Sequence, residues 1–177
     1  TAMSVNTKAG FSIVKYLGTD TAGASVPHGL AAAPDVVILK NLDVAAYSSW
    51  QVSLNSTVTG TKQYSRLFST SRFYSEYPDS YDTQIDNDLL TFPGGSSGER
   101  AYNNTSNNYI AYCWRSVPGY SSIGSYTGNG SADGPFVHCG FRPAWVMIKQ
   151  SSSAGNSWWI TDSTRYEFNG DTPGSLR

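Results

Sequence analysis

The run Gly10-Phe11-Ser12-Ile13-Val14-Lys15-Tyr16-Leu17, closed by Gly18-Thr19-Asp20, decides the fold class. It is short, rich in β-branched and aromatic residues, and ends in turn formers, which together predict a strand. Runs of the same kind recur at 35–41, 49–54, 61–68, 89–92, 109–117, 122–126, 144–150 and 157–161. Clusters such as Gly94-Gly95-Ser96, Gly128-Asn129-Gly130 and Ser151-Ser152-Ser153 punctuate them. Long Glu/Lys/Ala/Leu runs are absent, so little helix is expected. The composition agrees: 26 Ser, 15 Thr and 12 Tyr among 177 residues, with 14% charged, suit pleated surfaces. The pattern predicts an all-β protein, an antiparallel β-sandwich of jelly-roll or lectin-like type.

Working outward from the first run, the same pattern returns about 110 residues later. Gly10-Phe11-Ser12, Tyr16, Gly18, Ala22, His28-Gly29-Leu30, Pro34, Val36-Val37-Ile38-Leu39-Lys40 and Trp50 form one copy. Gly119-Tyr120-Ser121, Tyr126, Gly128, Ala132, His138-Cys139-Gly140-Phe141, Pro143, Trp145-Val146-Met147-Ile148-Lys149 and Trp159 form the other. We therefore expect an internally duplicated unit, with residues 1–118 as the first copy and 119–177 as a partial second. The second lacks counterparts of about residues 69–118, and a half-built sandwich leaves an open edge that must be covered. Its missing half could lie elsewhere, come from another protomer, or be unnecessary. In the last case, which is the reading preferred, the half-repeat packs on the first unit as one compact domain.

Charge and hydropathy exclude several classes. A net charge of -1 provides no basic stripe, so no nucleic-acid partner is expected. No stretch approaches 18 apolar residues, so no membrane-inserted helix is expected. The opening Thr1-Ala2-Met3-Ser4 lacks both an initiator Met and a signal core, which suggests a processed chain or a piece of a longer one. Cys113 and Cys139 fit either one disulfide or a reduced buried pair.

Candidate chemistry is sparse. His28 and His138 stand at matched positions, and each reads as a ring satisfying a turn ahead of Pro34 or Pro143. Asp82, Asp86 and Asp88 match no trusted calcium loop and read as a solvated turn. Glu76, Glu99 and Glu167 are the three glutamates, all in loop-like segments, so no facing carboxylate pair is predicted. Neither a nucleophile elbow nor a phosphate or dinucleotide fingerprint is present. The expectation is a non-enzyme with no cofactor and no metal.

Aromatic residues carry what binding signal there is. Trp50, Trp145 and Trp159 fall on repeat-matched strands and are expected in the core. Trp158 alternates with Trp159, so it should face the opposite side and be exposed. The loop Phe73-Tyr74-Ser75-Glu76-Tyr77-Pro78-Asp79-Ser80-Tyr81 mixes rigid rings with adaptable polar groups. Trp158, Tyr74, Tyr77 and Tyr81 are the predicted ligand contacts.

The segments Gly10-Phe11-Ser12-Ile13-Val14, Val26-Pro27-His28-Gly29-Leu30 and Tyr109-Ile110-Ala111-Tyr112-Cys113-Trp114 form a specific set with two later stretches. These are Gly124-Ser125-Tyr126-Thr127-Gly128-Asn129-Gly130-Ser131-Ala132-Asp133-Gly134 and Gly140-Phe141-Arg142-Pro143-Ala144-Trp145-Val146-Met147-Ile148-Lys149. Together they resemble β-rich virion proteins of aquatic bacteriophages, in which such units neighbour lectin-like, laminin-G or concanavalin-type modules. The resemblance spans nearly the whole chain. It implies a tail fibre or external appendage, located on the virion surface among other virion proteins. Host-surface polysaccharide is the implied ligand, and a homotrimer follows by analogy with other fibres. The resemblance supplies no catalytic residues. The rival readings are a capsid decoration or purely structural assembly protein, and a bacterial surface or filament protein.

Overall fold

The computed structural model describes residues 1–44, 50–67, 69–74, 83–92 and 102–164, and the backbone of 174–176. In chain order the strands are β1 (Ala2–Asn6), β2 (Phe11–Leu17), β3 (Ser25–Pro27), β4 (Val36–Asn41), β5 (Trp50–Leu54), β6 (Gln63–Arg66), β7 (Gln84–Ile85), β8 (Leu89–Thr91), β9 (Asn108–Trp114), β10 (Trp145–Ile148), β11 (Trp158–Asp162) and β12 (Gly174–Leu176). One helical turn, α1 (Ser56–Thr59), is capped by the Asn55 side chain, which accepts from Thr57 N at 3.3 Å. The protein is all-β, and every pair in its three sheets is antiparallel.

The largest sheet runs β1-β2-β9-β4-β5-β6. Direct pairing puts Ser12, Cys113, Val37 and Ser53 in one row across it. Val14, Ala111, Leu39 and Gln51 make the next row, and Tyr16, Tyr109 and Asn41 a third. All of these are buried, so they define an inner face. A smaller sheet, β3-β8-β7, lies over that face. It brings Val26 and Leu90 to a core shared with Leu30, Phe92 and Tyr102. Two sheets enclosing one apolar core is the sandwich arrangement. At its centre Tyr16 stacks between Phe92 (4.7 Å) and Tyr109 (5.1 Å) and donates its hydroxyl to Tyr102 O at 2.7 Å.

The third sheet, β10-β11-β12, packs on the outer face of β4 and β5. Trp158 and Met147 meet Val36, Ile38, Val52, Leu54, Leu67 and Phe73 there. Its strand order and antiparallel pairing repeat those of β4-β5-β6. Left-handed glycines also recur at matched positions, Gly10 (φ 62) with Gly119 (φ 76), and Gly29 (φ 72) with Gly140 (φ 79).

The rest of residues 119–177, read from sequence as a partial second copy, differs from the first unit. The strand expected at 122–126 does not form; the backbone there joins the fold through an isolated Val117–Ser121 bridge. Its first-copy equivalent, β2, is held between β1 and β9, and among the described residues the second copy has neither neighbour. Buried Tyr16, Val26 and His28 become exposed Tyr126, Phe136 and His138. In the first unit these three rest on Tyr109, Leu90 and Asp86, which have no counterpart within residues 119–177. Strands β1, β3, β7 and β12 were not anticipated, being short or, in β1, exposed throughout.

Candidate binding surface

In the hairpin of β10 and β11, Trp145 pairs with Asp162, Met147 with Ile160, and Ile148 with Trp159. Alternation puts Met147, Trp158 and Ile160 on one face and Val146, Ile148, Trp159 and Thr161 on the other. The first face is the one laid on the main sheet. Trp158 is 5% exposed, meets the Phe73 ring edge-on at 5.7 Å, and donates its indole N–H to Arg66 O at 3.0 Å. Trp159 points outward, 41% exposed, directly opposite exposed Ile148. Trp145, at the strand end, is 55% exposed.

This corrects the expected assignment of the tryptophans. The two neighbours do face opposite sides, but the phase is inverted: Trp158 is the anchor, and Trp159 and Trp145 are the exposed rings. The phase depends on which side of the hairpin finds a sheet to pack on, a long-range fact that alternation cannot supply. Trp50 is half-buried on the outer face of β5, with Lys40 Nζ 5.4 Å from its ring centroid.

Of the predicted Tyr-rich contacts, Tyr74 is half-buried. It forms a bridge with Tyr64, stacks on that ring at 5.6 Å and receives the Arg72 guanidinium at 5.7 Å. Tyr77 and Tyr81 lie outside the described residues, as do Asp82, Glu76, Glu99 and Glu167. The structure therefore does not bring Trp158 and Tyr74 to a common open surface. A second aromatic row was not singled out from sequence. Trp114 lies 5.0 Å from Phe11 and 6.0 Å from Tyr112 on the outer face of β2 and β9, all three half-buried. Its signal was the alternation within Tyr109–Trp114, which sends every second residue away from the core.

The titratable groups have structural partners. His28 is fully buried; its Nδ1 accepts from Leu30 N at 3.3 Å and its Nε2 lies 3.1 Å from Asp86 O, so the neutral ring carries its proton on Nε2. Burial lowers its pKa, partly offset by the Asp86 carbonyl. Asp86 Oδ1 accepts from Asp88 N and Leu89 N, which lowers its pKa and closes the turn between β7 and β8. Cys113 and Cys139 are both free thiols, and burial raises Cys113 to about 12. Among the described residues no group of three or more His, Cys, Asp or Glu is placed to hold a metal ion. No described helix is long and apolar enough to cross a membrane.

What the outward face of the hairpin offers is stacking area on Trp159 beside the Thr161 hydroxyl and apolar Ile148, suited to a flat, polar-edged ligand. A family model described as a domain of unknown function, DUF7483, matches residues 1–174. No curated protein and no solved structure matches the chain.

Proposed function

We propose that this chain, which belongs to the DUF7483 family of domains of unknown function, is a bacteriophage virion protein of the tail fibre or another external appendage. It binds host-surface carbohydrate through exposed aromatics, without covalent chemistry. The observation that carries this reading is the outward ring of Trp159 on an ordered sheet, opposite Ile148 and beside Thr161. Aromatic faces stack on sugar rings, and hydroxyls at the margin fix their orientation. The low charge, the hydroxyl-rich surface and the motif resemblance support the same placement.

A purely structural role is the rival. The exposure of Tyr120, Tyr126, Phe136 and Val137 in one segment favours it, because apolar side chains at such density suit a protein neighbour.

The deciding experiment is binding of the purified chain to host envelope polysaccharide, beside Trp159→Ala and Trp158→Phe variants. Saturable binding lost in Trp159→Ala and kept in Trp158→Phe supports the adhesin. No binding by the folded chain turns the reading to structural assembly.

A further inference from the structure

We infer that the outer edge of β10 is an acceptor site for an extended strand of β9-like chemistry that comes from outside the described residues. The first unit provides the template. Leu42 N donates to Asn108 O at 2.8 Å, so the alternating pairs bonded across β4 and β9 are those of Val36, Ile38 and Lys40 with Trp114, Tyr112 and Ile110. In the second unit, Ser163 N donates to Ala144 O at 2.9 Å. That phase commits the backbone groups of Val146 and Ile148 to β11 and turns those of Trp145 and Met147 outward. Trp145 and Met147 are the repeat counterparts of Val36 and Ile38. The same two positions that hold β9 in the first unit therefore present unpaired N–H and C=O groups in the second, among the described residues.

Nothing within β10 itself blunts this edge. Sheet edges are ordinarily protected by proline, charge or a bulge. Trp145-Val146-Met147-Ile148 contains no proline and no charge, and the amine of the following Lys149 is turned onto Asn156 O. The surroundings also await a partner. Tyr126, Phe136 and His138 are exposed where Tyr16, Val26 and His28 are buried, and each of those three has a partner from residues 86–109, namely Tyr109, Leu90 and Asp86. The fitting occupant has the pattern of Asn108–Trp114, with apolar or aromatic residues on both faces and free N–H groups facing β10. This inference does not depend on what the outward face of Trp159 binds.

The probe is a synthetic peptide of residues 108–115 under reducing conditions, titrated into the purified chain and followed by calorimetry. Saturable one-to-one binding is expected. A Tyr112→Pro peptide, lacking one N–H that faces the acceptor, should bind at least about tenfold more weakly. Met147→Pro in the chain should weaken the parent peptide comparably, since proline is tolerated where the N–H faces outward. The peptide variant keeps the test valid if that chain misfolds. Absence of binding, or equal binding of the Tyr112→Pro peptide, overturns the inference. So does a chain dimer dissociated by Met147→Pro and untouched by the peptide, which would assign the edge to a second copy. Polysaccharide binding is read separately, so either idea can fail alone.

Discussion

The indole N–H of Trp158 donates to the backbone carbonyl of Arg66 at 3.0 Å, joining residues 92 apart in sequence. With the edge-on contact to Phe73, this bond fixes the β10–β11 hairpin to the outer face of the main sheet. Truncating a buried Trp removes transfer energy and leaves a cavity, so Trp158→Ala should cost about 3–5 kcal/mol. Trp158→Phe keeps most of the filling but removes the indole hydrogen bond, about 1–2 kcal/mol. Trp159→Ala, at the exposed position beside it, should cost under about 1 kcal/mol. Urea unfolding followed by tryptophan fluorescence checks the order. Equal losses at 158 and 159 would show that the hairpin is not anchored as described.

Much of the fold was legible in short runs, and the reason is local. In β2, β4 and β9 the inner face takes alternate residues, Val14 and Tyr16, Val37 and Leu39, Ala111 and Cys113, so turn-bounded apolar runs give strand identity directly. The exposed site was not legible in the same way. Whether Trp158 or Trp159 faces solvent depends on packing against Val52 and Phe73, residues remote in sequence. The failed strand at 122–126 carries the same lesson: its Ser122, Ile123 and Tyr126 repeat Ser12, Ile13 and Tyr16 of β2, but Gly124 and Ser125 replace Val14 and Lys15, and a strand needs a neighbour that sequence similarity does not supply. The pairing of β1 with β2 was missed because its five residues are all exposed, leaving no buried alternation to read.

Tyr109 ties the core to the loop before β9. Its hydroxyl accepts from Asn104 N at 3.0 Å and from the Asn41 amide at 3.2 Å, while its ring stacks on Tyr16. Tyr109→Phe preserves the stack and removes one shared acceptor. Leaving those donors without it should cost about 1–3 kcal/mol. Tyr16→Phe, which loses one bond to Tyr102 O, should cost less, about 1 kcal/mol. Denaturant midpoints at constant m-value test the order, and a larger loss at Tyr16 would contradict it.

Gly10 and Gly60 separate backbone strain from crowding. Both have positive φ, 62° and 81°, and a Cβ at Gly60 would meet open space. At Gly10 a Cβ would lie 2.5 Å from Arg115 O, where the turn between β1 and β2 crosses the end of β9. Gly60→Ala should cost about 1–2 kcal/mol, the left-handed penalty alone. Gly10→Ala adds a clash with backbone that cannot swing aside, so its loss should be clearly larger. Thermal unfolding of the two variants decides, and similar losses would mean that the turn relaxes freely.

His28 makes stability fall with acid from near-neutral pH. The ring is buried and neutral, and its Nδ1 lone pair faces the Leu30 N–H, so protonation sets two donors against each other. Burial lowers the folded pKa below 6.5, with Asp86 and Asp88 opposing the shift more weakly. The unfolded chain therefore takes up the proton first. The contribution is fully present above about 6.5 and declines as pH drops below it, down to the folded pKa. Asp43 and Asp86 have pKa values lowered from 3.8, so their contributions are lost in a separate, more acidic window. The urea midpoint should fall between pH 7.5 and 5.5 in the parent chain. His28→Asn, which keeps an acceptor but does not titrate, should flatten that slope. A slope that survives in His28→Asn would place the titration on another group.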